Sequence, residues 1–297
     1  MSQASAGFQK ARVSVFFGIV LPITVALMLA EMAQAQIQLN QISSDTFTNS
    51  TSQHATEVEP DTFAFGSTMV SAFQEGRFVT GGGSSDIGFA ISTDGGLTWT
   101  NGFLPGTTVF VGGPYDRISD PSVAFDAAHG VWLITTIAIK NSVGVAVLAS
   151  TSNDGIHWNN PVVVNSTSGF DDKDWVVCDN NSGSPFFGHC YAEWDDAFLG
   201  DQVRMSASTD GGQSWGAAVN VPNAFGLGGQ PLVQPNGTVV VPFVGSAIQA
   251  FTSSNGGTSW SSPVTVSNVT DHGVAGGMRT SALPSAEIDA SGKVYVA

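Results

Sequence analysis

The sequence predicts an all-β fold assembled from repeated four-stranded antiparallel units. Three observations carry this. Charged residues make up only 11% of the 297 residues, so Glu, Lys and Arg are too rare to solvate helix faces. An eight-residue turn pattern recurs along the chain. Between its copies, short Val-, Ile- and Phe-rich runs alternate with turns rich in Gly, Asn, Asp and Pro.

The first segment stands outside this pattern. Lys10 and Arg12 form a positive start, Val13 to Ala30 is largely apolar, and Ala33-Gln34-Ala35 supplies small residues two apart. This is the pattern of a cleaved signal peptide, 1–35. An uncleaved anchor is the alternative, and Pro22 with the A-x-A site argues against it. Removing Lys10, Arg12 and Glu31 leaves 7 basic against 23 acidic side chains, a net charge of −16. That charge excludes a basic nucleic-acid face and disfavours an anionic membrane surface. No other apolar run reaches membrane-spanning length, so no membrane insertion is expected after cleavage. Residues 36–56 read as a leader, and 57–297 as the repeat domain.

The recurring pattern is Ser92-Thr93-Asp94-Gly95-Gly96-Leu97-Thr98-Trp99, repeated as Ser208-Thr209-Asp210-Gly211-Gly212-Gln213-Ser214-Trp215. Two looser copies end in Trp158 and Trp260, with Asn153 and Gly155 in one and Asn255 and Gly257 in the other. A short Asp or Asn side chain accepts hydrogen bonds from N–H groups two or three residues on, and the glycine permits φ > 0. The tryptophan restarts a strand and buries a large apolar face. The accepting residues, placed at 94, 153, 210 and 255, are 59, 57 and 45 residues apart. A period near 50 with β-type composition points to propeller blades.

S-x-D-x-G-x-x-W is the Asp-box, or BNR repeat, and on it the chain resembles the sialidase-like propellers over most of 57–297. The resemblance implies a six-bladed ring. It puts each box on the turn between the third and fourth strands of a blade, opposite the binding pocket. Blade one is expected from about Asp61 to Pro105, with strands near Gly66–Phe73, Arg77–Gly81 and Ile87–Ser92. Blade two uses Pro121–Phe125, Val131–Ile139, Gly144–Ser150 and Pro161–Val164. Blade three uses Asp174–Cys178, Cys190–Trp194, Gln202–Ser208 and Ala217–Val221. Blade four uses Gln230–Val233, Thr238–Phe243, Ala247–Ser253 and Pro263–Val266. First hairpins are expected at Gln74-Glu75-Gly76, Ala128-His129-Gly130, Pro235-Asn236-Gly237 and Ala290-Ser291-Gly292. Blade five starts near Ser281 and stops at Ala297, so about four and a half blades are present and the chain reads as truncated at its C-terminus.

Cys178 and Cys190 flank an Asn-Asn-Ser-Gly-Ser-Pro turn and are expected to bridge neighbouring antiparallel strands. A loop this short contributes about 3 kcal/mol in the chain-entropy model.

Strand direction places between-blade loops and second-to-third-strand loops on one rim. Asp86, Arg117, Asp120, Asp171, Lys173, Asp174, Asp195, Asp196 and Arg279 fall there. Asp120, Asp174 and Arg279 lie nearest the expected axis. The resemblance implies an exo-α-sialidase, a hydrolase of terminal sialic acids on glycans or glycoconjugates. Its enzymes clamp the sugar carboxylate with three arginines and use a Tyr–Glu nucleophile pair and an Asp acid/base. Arg117 and Arg279 are the rim arginines. Arg77 is set aside because it follows an expected box-side hairpin, and Arg204 because it sits inside a strand. Tyr191 and Glu193 share one face of a strand and match the nucleophile pair; packed strand residues are the plainer reading. Glu287 and Tyr295 are a second such pair. Of the family's F/Y-R-I-P motif only Tyr115-Asp116-Arg117-Ile118-Ser119 comes near. Its departures keep open a non-catalytic carbohydrate- or protein-binding propeller. Asp171-Asp172, Asp174 and Asp195-Asp196 form a candidate Ca²⁺ set, with solvated loops as the alternative. No cofactor motif appears.

Overall fold

The structure, a computed structural model, describes residues 39–297 apart from 167, 271, 277–279, 281 and 282. The expected signal peptide, Arg279 and the expected start of blade five at Ser281 therefore lie outside the described residues. Ile42–Ala297 form one unit. Its strands meander antiparallel in chain order. The first group is β1 (Ser52–Phe65), β2 (Thr68–Phe78), β3 (Ser84–Ser92) and β4 (Thr100–Phe103). The second is β5 (Arg117–Asp126), β6 (Val131–Lys140), β7 (Val143–Ser152) and β8 (Val162–Ser166). The third is β9 (Asp171–Cys178), β10 (Cys190–Asp196), β11 (Gln202–Ser208) and β12 (Val219–Phe225). The fourth is β13 (Leu232–Val233), β14 (Val239–Val244), β15 (Ile248–Ser253) and β16 (Val264–Ser267), followed by the hairpin β17 (Ala286–Ile288) and β18 (Val294–Val296). A Ser84↔Ile118 pairing joins the first two groups into one sheet.

The cores lie between neighbouring groups. Val70, Ile87 and Phe89 of the first pack with Ile118, Ile134 and Trp158 of the second. Ile137 and Val147 meet Ala192 and Trp194 of the third. Tyr191, Val203 and Met205 meet Val239, Phe243 and Phe251 of the fourth. Inner strands are covered on both faces, and all nine residues of β3 are buried, the polar Ser84, Ser85, Asp86 and Ser92 included. Side chains also stitch first strands together. Asp61 Oδ2 in β1 accepts from the N–H of Val123 in β5 (2.7 Å), and Ser122 Oγ in β5 accepts from Val176 N–H in β9 (3.1 Å). Gln230, just before β13, both donates to and accepts from the Ala286 backbone in β17 (2.8 and 2.7 Å).

The second to fourth groups follow the expected strand order, with ends shifted by a few residues. The first group needs correction. Its first hairpin is Gly66-Ser67, and Gln74-Glu75-Gly76 lies inside β2. Gly76 does take φ 68°, but beside a break in β1–β2 register between Gln53 and Glu57. A glycine next to charges marks a bulge as readily as a turn. β1 also reaches back into the segment read as a leader.

Cys178 and Cys190 are disulfide-bonded and directly paired between β9 and β10, as expected. The four recurring turns share one bonding plan. Asp94 Oδ1 accepts from Leu97 N–H and Thr98 N–H (3.0 and 2.9 Å), while Ser92 Oγ accepts from Gly96 N–H (2.8 Å). Asp210 and Asn255 accept from Ser214 N–H and Ser259 N–H in the same way. In the second group the acceptor is Asp154, bonded to Ile156 N–H and His157 N–H, and not Asn153. That turn has one residue fewer, so Gly155 takes the place that Gly96, Gly212 and Gly257 hold elsewhere. Trp158 Nε1 donates to Gly155 O and Trp99 Nε1 to Gly96 O, each at 3.1 Å.

Candidate functional site

The rim loops meet around a cavity of about 510 Å³. Glu59, Asp120, Asp172 and Lys173 line it from the between-group side, and Arg77 from the end of β2. β1 and β5 break register next to it, between Val58 and Asp61 and between Ser119 and Ser122. β9 does the same opposite Glu193 and Asp195. At these breaks Glu59, Asp120 and Lys173 adopt left-handed backbone, with φ of 52°, 49° and 49°. Non-glycine residues held there cost of order 1–3 kcal/mol each, and such outliers gather at functional sites. A bulge re-aims the side chain it carries. Pro60 and Pro121 follow directly, and their missing N–H suits the broken ladder. Gly228, φ 67°, precedes β13.

The three side chains form one network. Lys173 Nζ lies 3.4 Å from Asp120 Oδ1. Ser119 Oγ donates to Asp120 Oδ2 (2.8 Å), and Gln74 Nε2 bonds Ser119 Oγ and Glu59 Oε2 (3.1 and 2.5 Å). Burial, the nearby Asp120 charge and a hydrogen bond to Asp120 push Glu59 up to about 7, against the pull of Lys173. Burial lowers the Lys173 ammonium, but Asp120 and Glu59 outweigh it and the net shift is upward. Near neutral pH the site thus holds an ammonium beside Glu59, a carboxyl that keeps a proton up to about 7 and can act as a general acid.

Behind this network lie further carboxyls. Asp174 is raised well above its ordinary value by burial, opposed by Thr135 and Lys173. Glu193 is raised well above its own by burial and by Asp195 and Asp174. Asp195 is pushed up to about 9 by burial and by Asp172. Each of these groups binds its proton more tightly than an ordinary carboxyl. Asp174 borders a recess of about 110 Å³ shared with Glu59, Asp120 and Trp175.

Of the sequence candidates, Asp120 and Asp174 come to the site. Arg117 does not line the cavity: its Nη1 donates to Thr80 O and Gly82 O (2.6 and 3.1 Å), and its guanidinium covers Phe78. Arg204 faces Asp171 and Asp196 at 3.9 and 3.7 Å. Tyr191 is fully buried and edge-on to Trp260, inside the core between the third and fourth groups. Glu193 is equally buried, against Gly229, and neither lines the cavity. Side chains at this level of a second strand are sandwiched between sheets. Tyr295 faces Glu287 across the hairpin, but its hydroxyl donates to Asp289 (3.0 Å). Among the described residues no group of three or more His, Cys, Asp or Glu is arranged to hold a metal ion. Within the acidic loops Asp171 and Asp196 face Arg204, and Asp174 and Asp195 are enclosed by protein.

No catalytic motif marks Glu59 or Gln74 as a site residue, and Arg77, expected on the box side, lies at the end of β2 on the rim. The available signal for Glu59 was the acid-Pro dipeptide of Glu59-Pro60, repeated as Asp120-Pro121 in the next first strand.

No protein-family model matches the chain, and no curated protein sequence matches it. Solved structures match in fold. "Hadza microbial sialidase Hz136" aligns at 17% identity and TM-score 0.55, covering 73% of this chain and 48% of that one. A protein of unknown function from Dyadobacter fermentans aligns at 18% identity and TM-score 0.54, covering 67% and 61%. The intramolecular trans-sialidase from Ruminococcus gnavus aligns at 14% and 0.55, covering 72% and 71%. The chain thus spans about half to three-fifths of the length of the first two. These likenesses show a sialidase-like fold.

Proposed function

We propose that this chain belongs to a secreted glycoside hydrolase of exo-α-sialidase type, acting on terminal sialic acids of glycans at the rim cavity. The four strand groups are read as propeller blades, and their recurring turns as Asp-boxes on the opposite face. The observation that carries the reading is the raised Glu59 carboxyl with the Asp120–Lys173 ion pair beside it, on strained bulges of adjacent first strands. Glu59 gives its proton to the leaving oxygen as the glycosidic bond breaks, and a water molecule entering the open cavity bonds to the anomeric carbon. Asp120 holds that proton in place, and Lys173 and Arg77 meet the sugar carboxylate. Asp195, pushed up to about 9, carries its proton at pH 7 and does not repel an anionic sugar from behind the site.

A second reading, a non-catalytic carbohydrate- or protein-binding propeller, is favoured by one observation. Arg117 and Arg204 are committed to partners within the chain, so the three-arginine clamp is not assembled among the described residues.

The test is hydrolysis of a fluorogenic sialoside by the full-length gene product. Glu59→Gln and Asp120→Asn are each expected to lower kcat by about 10²–10⁴. Activity should fall as pH rises through about 7, where Glu59 loses its proton. Sialoside that binds with no turnover would support the second reading. Neither turnover nor binding removes both.

A further inference from the structure

One built feature beside the cavity has no part in the chemistry above. Phe170 lines the cavity and meets Phe198 edge-on, with ring centroids 5.7 Å apart and planes at 82°. Phe198 is 63% exposed and its neighbour Leu199 54%. Exposed apolar pairs of this kind usually sit on loose loops, but here the backbone is pinned. Asp196, 2% exposed, accepts from the N–H groups of both Phe170 and Phe198 through one oxygen, each at 3.1 Å. Ala197 N–H donates to Phe170 O (2.8 Å), and Gly200, φ 73°, closes the turn with its N–H on Ala197 O (3.3 Å). Arg204 Nη1 lies 3.7 Å from Asp196 Oδ2. The result is a rigid apolar step that runs outward from the cavity wall. Its N–H groups at 170, 197, 198 and 200 are consumed within the turn, so it presents carbon to a ligand rather than hydrogen-bond donors.

Resting on the sialidase-type reading, the geometry points to Phe170, Phe198 and Leu199 as a subsite for an apolar leaving group, an alkyl chain on the glycosidic oxygen. A second sugar finds no hydrogen-bond partner among the turn's N–H groups, so its hydroxyls stay with solvent and gain nothing from the step. An alkyl chain gains from burial on the step and needs no donor.

The experiment compares methyl and octyl α-sialosides, which share leaving-group chemistry and differ in apolar length, using the full-length gene product. The octyl compound is expected to show a kcat/KM about tenfold higher, the yield of burying one or two methylenes. Phe198→Ala should bring the octyl-to-methyl ratio close to one, and Phe198→Leu should keep most of the preference. Equal values in the native protein, a ratio that Phe198→Ala does not change, or a preference for sialyllactose over the octyl compound overturns the assignment. If neither sialoside is turned over, the hydrolase reading fails by itself. The step is then judged by saturation-transfer NMR. Octyl protons saturated by the native protein but not by Phe198→Ala sustain it, and their absence in both refutes it.

Discussion

At the recurring turns Asp94 receives hydrogen bonds from the Thr98 hydroxyl and N–H, which with Ser92 hold its carboxyl down at about 2. At the rim Asp195 has no hydrogen-bond partner, and burial pushes its carboxyl up to about 9. The contrast extends across each set. Asp154 is lowered by His157, and Asp210 is lowered because the Ser214 hydroxyl and N–H outweigh burial. Glu59, Asp174 and Glu193 are raised, each by burial first. The difference is one of burial together with donors. A carboxylate left in water and given two or three N–H or O–H groups stays ionised and closes a turn. A carboxyl enclosed by protein binds its proton more tightly, which costs stability and leaves a group able to donate, and even Asp61, with donors on its carboxyl, is raised by burial. One residue type therefore supports the fold on one face and the proposed chemistry on the other.

Crossing the two regions gives the largest expected effects. Asp120→Asn is expected to cost turnover and leave Tm nearly unchanged, because it removes no turn. Asp210→Ala should do the reverse. It strips the acceptor of Ser214 N–H and Ser214 Oγ, a loss of about 2 kcal/mol for charge-assisted bonds. At roughly 2–4 °C per kcal/mol for a chain of this size, Tm should fall by about 4–8 °C with kcat intact. A turn variant that lost activity at unchanged Tm would collapse the distinction.

Smaller, and directed at the rim, is the effect of pH on stability. A carboxyl raised in the folded state binds its proton more tightly than in the unfolded chain. Its contribution is therefore complete below the unfolded value and is lost as pH rises through the folded one. For Glu59 and Glu75 the window runs from 4.5 to about 7, and for Asp195 from 3.8 to about 9. Calorimetry should find Tm several degrees lower at pH 8 than at pH 5. Asp195→Asn should flatten that slope, whereas Asp210→Ala should leave it in place, since Asp210 titrates below this range in both states.

The turn face was legible in sequence because each of its bonds closes within about four residues. The pattern around Asp94 and Asp210 contains donor, acceptor and glycine together. Asn153 gives way to Asp154 as acceptor because that turn is one residue shorter than its neighbours. The disulfide was legible for the same local reason. The rim was only half legible. Asp120, Lys173 and Asp174 follow from strand direction alone. Glu59 depends on register breaks in strands far apart in the chain, and Arg77 depends on which glycine turns the first hairpin. Gly66 and Gly76 both take positive φ, so local sequence does not choose between them. That choice is made by the pairing of β1 with β2.

The finest test of the comparison lies within the turns themselves. Asn255 occupies the acceptor position that Asp94 and Asp210 hold elsewhere. Its Oδ1 accepts from Ser259 N–H (3.1 Å) and Ser253 Oγ (2.9 Å), and its Nδ2 donates to Ser259 Oγ (2.8 Å). Asp210 makes the equivalent contact as an acceptor, taking the Ser214 hydroxyl proton on Oδ2 at 2.5 Å. Asn255→Asp needs only a rotation of the Ser259 hydroxyl to recreate that arrangement with a charged acceptor, worth about 0.5–1 kcal/mol more than the neutral bonds. Tm should rise by roughly 1–3 °C at pH 7. The new carboxylate is lowered on folding, so the gain is present above its unfolded value and disappears as pH falls through the folded one. It should therefore be absent near pH 2. A rise that persists at that pH would mean the aspartate acts by something other than accepting from the turn.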